Sequence, residues 1–337
     1  MNLPALEMLC CPACHATFDL ERRSSSGIIL RSADLTCTGC RCDFRIFHGR
    51  PLLVRHDGIH EWKAPIDEVL GIPDLTPVEG PLSMGRLARM GVDSAIDLLK
   101  SPGRLTGCIP GSKPGSAAIP EGLDGQVVYR MSGRWLGSRG RKEKLEASIT
   151  AMRRSVRAFV DAAISADADT ILDIASGGGS GICCIASVLT GDQRIFAAER
   201  DYKCLWAIQS KFEYLGRASC CEAVGADILQ LPFRDRSIDL ITSLAALPEI
   251  MGISRVLSEI SRILTPGGRY VALYNPDPDT YGILPVVDYS RFAREADLYS
   301  GHDDFLRTAA GSGLVPVEVD EFDEDSRRRV LTIFRKP

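Results

Sequence analysis

From Thr170 onward the chain alternates short apolar runs with amphipathic segments, and this alternation limits the folds open to it more than any other feature. TILDI (170–174), RIFAA (194–198), CEAVGA (221–226), SIDLITS (237–243) and GRYVALYN (268–275) read as strands. Between them, residues 201–215 place Leu205, Ile208, Phe212 and Leu215 at helical spacing. Residues 253–264 do the same with Ile253, Val256, Leu257, Ile260, Ile263 and Leu264, and the run Thr265-Pro266-Gly267-Gly268 stops that helix. Strands alternating with helices imply an α/β fold with a mainly parallel sheet covered on both faces. Ligands on such sheets sit beyond the C-terminal ends of the strands.

The 337 residues suggest about two domains by ordinary domain sizes. Three regions are expected: 1–56, rich in cysteine, with strands at GIIL (27–30) and FRIF (44–47); 57–157, a linker or lid; and 158–337, the α/β domain. The middle region carries Pro- and Gly-rich loops at 71–81 and 109–122, with helices expected at 84–100 and 142–163. A content of 45% hydrophobic and 25% charged residues excludes wholesale disorder. The apolar stretch ICCIASVL (182–189) is far too short to span a bilayer, so no membrane association is expected. The opening MNLPALEMLCCPAC shows neither a basic leader nor a clean apolar core, which leads us to expect a reducing, cytoplasmic setting. A net charge of −4 excludes a surface built throughout to coat nucleic acid, while leaving room for a local basic patch.

In a reducing compartment cysteines serve as metal ligands or buried thiols. Six of the 12 lie within residues 10–42 and five between Cys183 and Cys221. Cys11-Pro-Ala-Cys14 and Cys37-Thr-Gly-Cys40 are two CxxC pairs. Each turn presents two thiols, and a hairpin between them brings four donors together for tetrahedral, structural Zn2+. Cys10, Cys42 and His15 lie close enough in sequence to substitute, but the two pairs already complete the coordination.

TILDIASGGGSG (170–181) is a strand running into a glycine-rich turn and then a helix. No lysine follows the glycines, which disfavours a phosphate-gripping loop. Asp173 just before the loop suits a cofactor with an ammonium and a sulfonium, as S-adenosylmethionine has, better than a pyrophosphate. Gly177 and Gly179 let backbone approach that cofactor closely. Glu199, ending the next strand, is placed to hold both ribose hydroxyls. Asp227, after the third strand, is placed to accept from an adenine amino group, with Ile228 against the ring.

These features, with LPFRDRSIDLITSLAALPEI (231–250) and EISRILTPGGRYVAL (259–273), resemble the class I S-adenosylmethionine-dependent methyltransferases. The resemblance implies a seven-stranded, Rossmann-like sheet whose last strand pair is antiparallel, with EVDEF (318–322) and VLTIFRK (330–336) as tail strands. Ala175 stands where many members carry glycine and belongs to the same expected cofactor site. CTGCRCDFRIFHGRPLLV (37–54), with Phe44, Ile46, Gly49 and Pro51, resembles the zinc-ribbon domain found as a partner or N-terminal extension of some methyltransferases. Ribosomal RNA guanine methyltransferases share the order of zinc module, linker and methyltransferase domain, but their zinc site resembles CxxC followed by a Cys/His pair.

Methyl transfer draws its reactivity from the cofactor, so no catalytic residue is read from the sequence. SLAALPE (243–249) lacks the polar clamp of amino-methylating nucleic-acid enzymes. Asp277, Asp279 and Tyr281 fall where an acceptor pocket is expected, NPDP (275–278) reads as a turn, and His302 reads as a cap or surface group before a base. Cys183 and Cys184 read as packing thiols. Transfer to a small-molecule acceptor is the leading reading. The first alternative is a ribosomal or transfer RNA methyltransferase, using the ribbon and the basic segment 130–157 with Arg139, Arg141 and Lys142. The second is a non-catalytic scaffold that binds the cofactor.

Overall fold

The computed structural model describes residues 1–26, 28–47, 49–54, 154–189, 191–200, 202–246, 252–276, 301–324 and 327–337. The helix expected at 84–100 and the loops at 71–81 and 109–122 lie outside the described residues. Of the helix expected at 142–163, the described part is α2 (Arg154–Ile164).

The α/β alternation is present. β5 (Thr170–Ile174), α3 (Ser180–Val188), β6 (Arg194–Glu199), α4 (Tyr202–Tyr214), β7 (Cys221–Ala226), β8 (Ile238–Leu244), α5 (Ile253–Ile263) and β9 (Leu264–Tyr274) follow in order. After α6 (His302–Gly311), β10 (Val315–Glu324) and β11 (Arg327–Arg335) form an antiparallel pair, and β11 runs antiparallel to β9. The Pro-Gly run after α5 ends the helix, yet β9 starts at Leu264 itself, earlier than the strand expected from 268.

The expected count of seven strands is corrected. Among the described residues one sheet of eleven strands runs β1-β2-β3-β4-β7-β6-β5-β8-β9-β11-β10. The extra four belong to the cysteine-rich N-terminus: β1 (Phe18–Ser26), β2 (Ile29–Cys37), β3 (Asp43–Phe47) and β4 (Arg50–Leu53), preceded by the short α1 (Leu3–Leu6). That region continues the same sheet. β4 pairs in parallel with β7, Leu52 opposite Gly225 and Leu53 opposite Ala226.

The reason lies in β7. All six of its residues are buried, so its outer backbone groups need a partner other than water. β4, also buried at all four positions, supplies that partner at Gly225 and Ala226. The close approach depends on Gly225, because a Cβ there would lie 2.9 Å from Leu52 Cδ2 and 3.3 Å from Pro51 O. A second seam ties the cysteine region to the segment after β7. Cys10 N donates to Pro232 O at 3.0 Å, Arg234 N donates to Met8 O at 3.1 Å, and Leu9 bridges Phe233.

Strand side chains alternate between two cores. One holds Leu172, Ile174, Phe196 and Tyr270 against the apolar face of α5 and against Phe305 of α6, and it continues into Leu30, Leu35 and Phe44 of the N-terminal strands. The other holds Ile171, Ile195, Leu240 and Val271 against Phe159 of α2, Ile182 of α3 and Leu205, Ile208 and Phe212 of α4. No helix among the described residues is long and apolar enough to cross a membrane.

Candidate functional site

β5, β6 and β7 are adjacent and parallel, so their C-terminal ends lie side by side. Those ends carry Asp173 and the glycine loop, then Glu199, then Asp227 and Ile228. Sheet topology thus brings together residues that are scattered along the sequence.

Asp173 is only 2% exposed, and Thr242 Oγ1, opposite it on β8, donates to its Oδ1 at 2.7 Å. Burial pushes its pKa up to about 7 and Glu199 adds to that, while hydrogen bonds from Thr242 and Ser176 oppose the rise. Thr242 was not anticipated. Its signal was the polar pair Thr242-Ser243 following the apolar Leu240-Ile241 in the strand, and Ser243 too finds a buried partner in Tyr270 Oη at 2.8 Å. Polar groups on a buried strand must be paired, which makes such a pair worth tracing to its partners.

The loop holds left-handed backbone at three positions: Ala175 (φ 49°), Gly177 (φ 52°) and Gly179 (φ 77°). Alanine pays about 1 kcal/mol for that region. At Gly179 a Cβ would meet Ile208 Cγ1 of α4 at 2.9 Å, so this glycine serves packing. At Gly177 a Cβ would meet nothing within 4 Å, leaving open space over the loop.

Glu199 does more than its position suggested. Its Oε2 accepts from Gly177 N at 2.8 Å and its Oε1 from Arg200 N at 2.7 Å, so it holds the glycine loop. Asp227 Oδ1 accepts from Leu229 N at 2.9 Å, and Asp227 and Ile228 are both buried. The segment that follows is clamped by Arg262 of α5, which donates to Leu231 O and Phe233 O, each at 2.8 Å. Glu259 Oε2 takes Leu231 N at 2.9 Å.

Asp277, Asp279, Tyr281 and most of the basic segment 130–157 lie outside the described residues. His302 opens α6, and its Nδ1 lies 2.7 Å from Tyr274 Oη, which also meets Thr332 Oγ1 at 3.0 Å. Cys183 packs in the core, and burial pushes its thiol up to about 12. Burial likewise raises Cys184.

In the N-terminal region, the sulfurs of Cys11, Cys14, Cys37 and Cys40 lie within 4.8 Å of one another. Cys11 Sγ is 3.6 Å from Cys40 Sγ, and Cys14 Sγ is 3.3 Å from Cys37 Sγ. A tetrahedral zinc site with bonds of about 2.3 Å has sulfur–sulfur edges of about 3.8 Å, so donor set and spacing fit such an ion. Backbone N–H groups of Ala13, Gly39 and Cys40 point at ligand sulfurs and steady their negative charge. Cys10, Cys42 and His15 are outside this group of four.

Residues 172–272 match the family described as Methyltransferase domain. A sterol 4-C-methyltransferase of Caenorhabditis elegans is 29% identical over 85 residues, covering 25% of this chain and 23% of that protein. A sterol 24-C-methyltransferase of Pneumocystis carinii is 33% identical over 106 residues, covering 32% of this chain and 28% of that protein. The chain thus spans about a quarter of the length of each of these two relatives. A demethylmenaquinone methyltransferase of Geobacillus stearothermophilus is 23% identical over 171 residues, covering 45% of this chain and 73% of that protein. Among solved structures, geranyl diphosphate C-methyltransferase from Streptomyces coelicolor A3(2) has 16% identity and a TM-score of 0.45, covering 61% of this chain and 88% of that one. In the segment that carries Asp173, Glu199 and Asp227, the chain is similar to methyltransferase domains.

Proposed function

We propose that the chain is an S-adenosylmethionine-dependent methyltransferase acting on a small-molecule acceptor, with a structural zinc ion in its N-terminal module. The observation that carries this reading is the row of three acids at adjacent strand ends around a glycine loop that is open above Gly177. The family match over the same residues supports it. The small-molecule class is favoured by relatives named for sterols and demethylmenaquinone.

The cofactor supplies an electrophilic methyl group on a sulfonium. Asp173 holds its ammonium, Glu199 its ribose hydroxyls and Asp227 its adenine amino group, with Ile228 against the ring. The left-handed turn, open above Gly177, would admit the amino-acid end close to the loop backbone. These residues would bind and orient the cofactor, whose methyl group would be the part offered to an acceptor. Cys11, Cys14, Cys37 and Cys40 hold the zinc as a closed, four-thiolate site that fixes the turns flanking β1 and β2.

Calorimetric titration with S-adenosylhomocysteine tests the site. Asp173→Ala and Glu199→Ala should each weaken binding by about tenfold or more, and unchanged affinity in both overturns the assignment. Incubation with methyl-labelled cofactor and fractionated cell extract tests the acceptor. Label in a metabolite fraction supports this reading, label in RNA supports the nucleic-acid alternative, and binding without transfer to any fraction supports a scaffold.

A further inference from the structure

α4 carries a lysine on its buried face. Leu205, Ile208 and Phe212 point into the core, and Lys211, three residues after Ile208, lies among them at 3% exposure. An ammonium removed from water is costly and is kept only where something holds it. Here Lys211 Nζ donates to Gly178 O, the exposed middle of the glycine loop. Burial draws its pKa down, and the thiols Cys183, Cys204 and Cys184 are the groups that counter this. Lys211 thus meets the glycine loop at Gly178, and Asp173 lies on β5 just before the same loop; both are buried.

This arrangement matches the chemistry of one end of the cofactor. In the proposed site Asp227 and Glu199 take the nucleoside, which leaves the amino-acid end at β5 and its loop. That end is zwitterionic, with an ammonium and a carboxylate. Asp173 answers the ammonium, and the carboxylate needs positive potential at the loop. We propose that Lys211 is a positioning residue for the carboxylate end of the cofactor: it grips the Gly178 carbonyl, fixes the glycine loop and supplies the positive charge behind it. This rests on the cofactor reading above. α4 thus touches the loop twice, through Ile208 at Gly179 for packing and through Lys211 at Gly178 for charge.

The test compares two probes that differ only at this end. S-adenosylhomocysteine carries the amino acid, and 5′-methylthioadenosine keeps the thioether nucleoside without it. Lys211→Met should weaken S-adenosylhomocysteine by about tenfold while 5′-methylthioadenosine changes by less than about twofold. Lys211→Arg and Lys211→Gln both keep a donor, and only the first keeps the charge. Arginine should bind S-adenosylhomocysteine at least about fivefold tighter than glutamine, a comparison that stands even where Lys211→Met does not fold. Equal losses on both probes, or equal affinities for the arginine and glutamine variants, overturn the inference. A wild-type protein that binds neither probe overturns the cofactor reading itself, which separates the two failures.

Discussion

β7 and β10 are the two outer strands of the α/β part of the sheet, with five strands between them, and are treated in opposite ways. β7 is CEAVGA, buried throughout, and four further strands continue the sheet from its outer side. β10 is VPVEVDEFDE and ends the sheet among the described residues, with Val315, Val317 and Val319 between 41% and 57% exposed. Five acids, Glu318, Asp320, Glu321, Asp323 and Glu324, guard β10, and charge on an edge strand discourages pairing with other chains. β7 carries one acid, Glu222, which is buried and accepts from Asn2 N at 2.6 Å. One flank is protected by charge and the other by a built-in partner. The second solution ties the cysteine module to the strand that ends just before Asp227.

If that contrast is right, disturbing the covered flank affects both stability and cofactor binding, and disturbing the open flank affects neither. The largest effect is expected from metal loss. One zinc per chain should be found by elemental analysis, and chelation or Cys11→Ser with Cys14→Ser should destabilise the fold by several kcal/mol, read as a lower melting temperature. Affinity for S-adenosylhomocysteine should fall with it, because Met8 and Cys10 hold residues 232–234 just beyond Asp227. Normal melting and affinity in the metal-free protein would break the comparison.

Next comes Gly225→Val, which drives a side chain into Leu52 and the Pro51 carbonyl. It should cost about 1–3 kcal/mol in chemical denaturation and expose β7 to hydrogen exchange. A pH series on Asp173 sharpens the link to the cofactor. Its folded pKa of about 7 lies above the ordinary carboxylate value, so the folded chain binds more protons between those values. Stability therefore falls as pH rises through that window and levels off above pH 7. Cofactor affinity moves the other way, because its ammonium selects the ionised carboxyl. Binding should tighten from about pH 6 to about pH 8, with proton release below pH 7, and Asp173→Asn should flatten the profile at an affinity about tenfold lower. The smallest effect belongs to the open flank, where Val317→Lys should stay within about 0.5 kcal/mol of wild type and leave binding unchanged.

The glycine loop, the three acids and the paired cysteines were legible because each is a local pattern: a turn with special backbone needs, a strand terminus, a two-residue spacing. The amphipathic helix of Ile253–Ile263 was legible for the same reason. The β4–β7 pairing was not, because RPLL shows no mark of which distant strand it joins. The nearest sign was the continuous burial implied by CEAVGA, together with a glycine in its middle that removes a Cβ. Lys211 and Thr242 were missed because their meaning depends on what faces them across elements. A lysine in a helical stripe reads as a solvated end until the partner carbonyl is seen.

The parallel pairing of β4 with β7 also sets an order of events. β1 to β4 are antiparallel neighbours joined by short turns, so their contacts are local and close quickly around the four thiols. Leu52 must then wait for Gly225, which leaves the ribosome only after the intervening chain and the first two strands of the α/β sheet. The N-terminal module thus stands ready as an edge on which β7 can register when it emerges. A chain made without metal lacks that template at the moment its fully buried strand β7 appears, and the cost then falls on folding yield before it falls on activity. Counting soluble protein from metal-restricted and metal-replete synthesis, with Gly225→Val as the variant that cannot use the template, would show whether the module guides the fold as well as stabilising it.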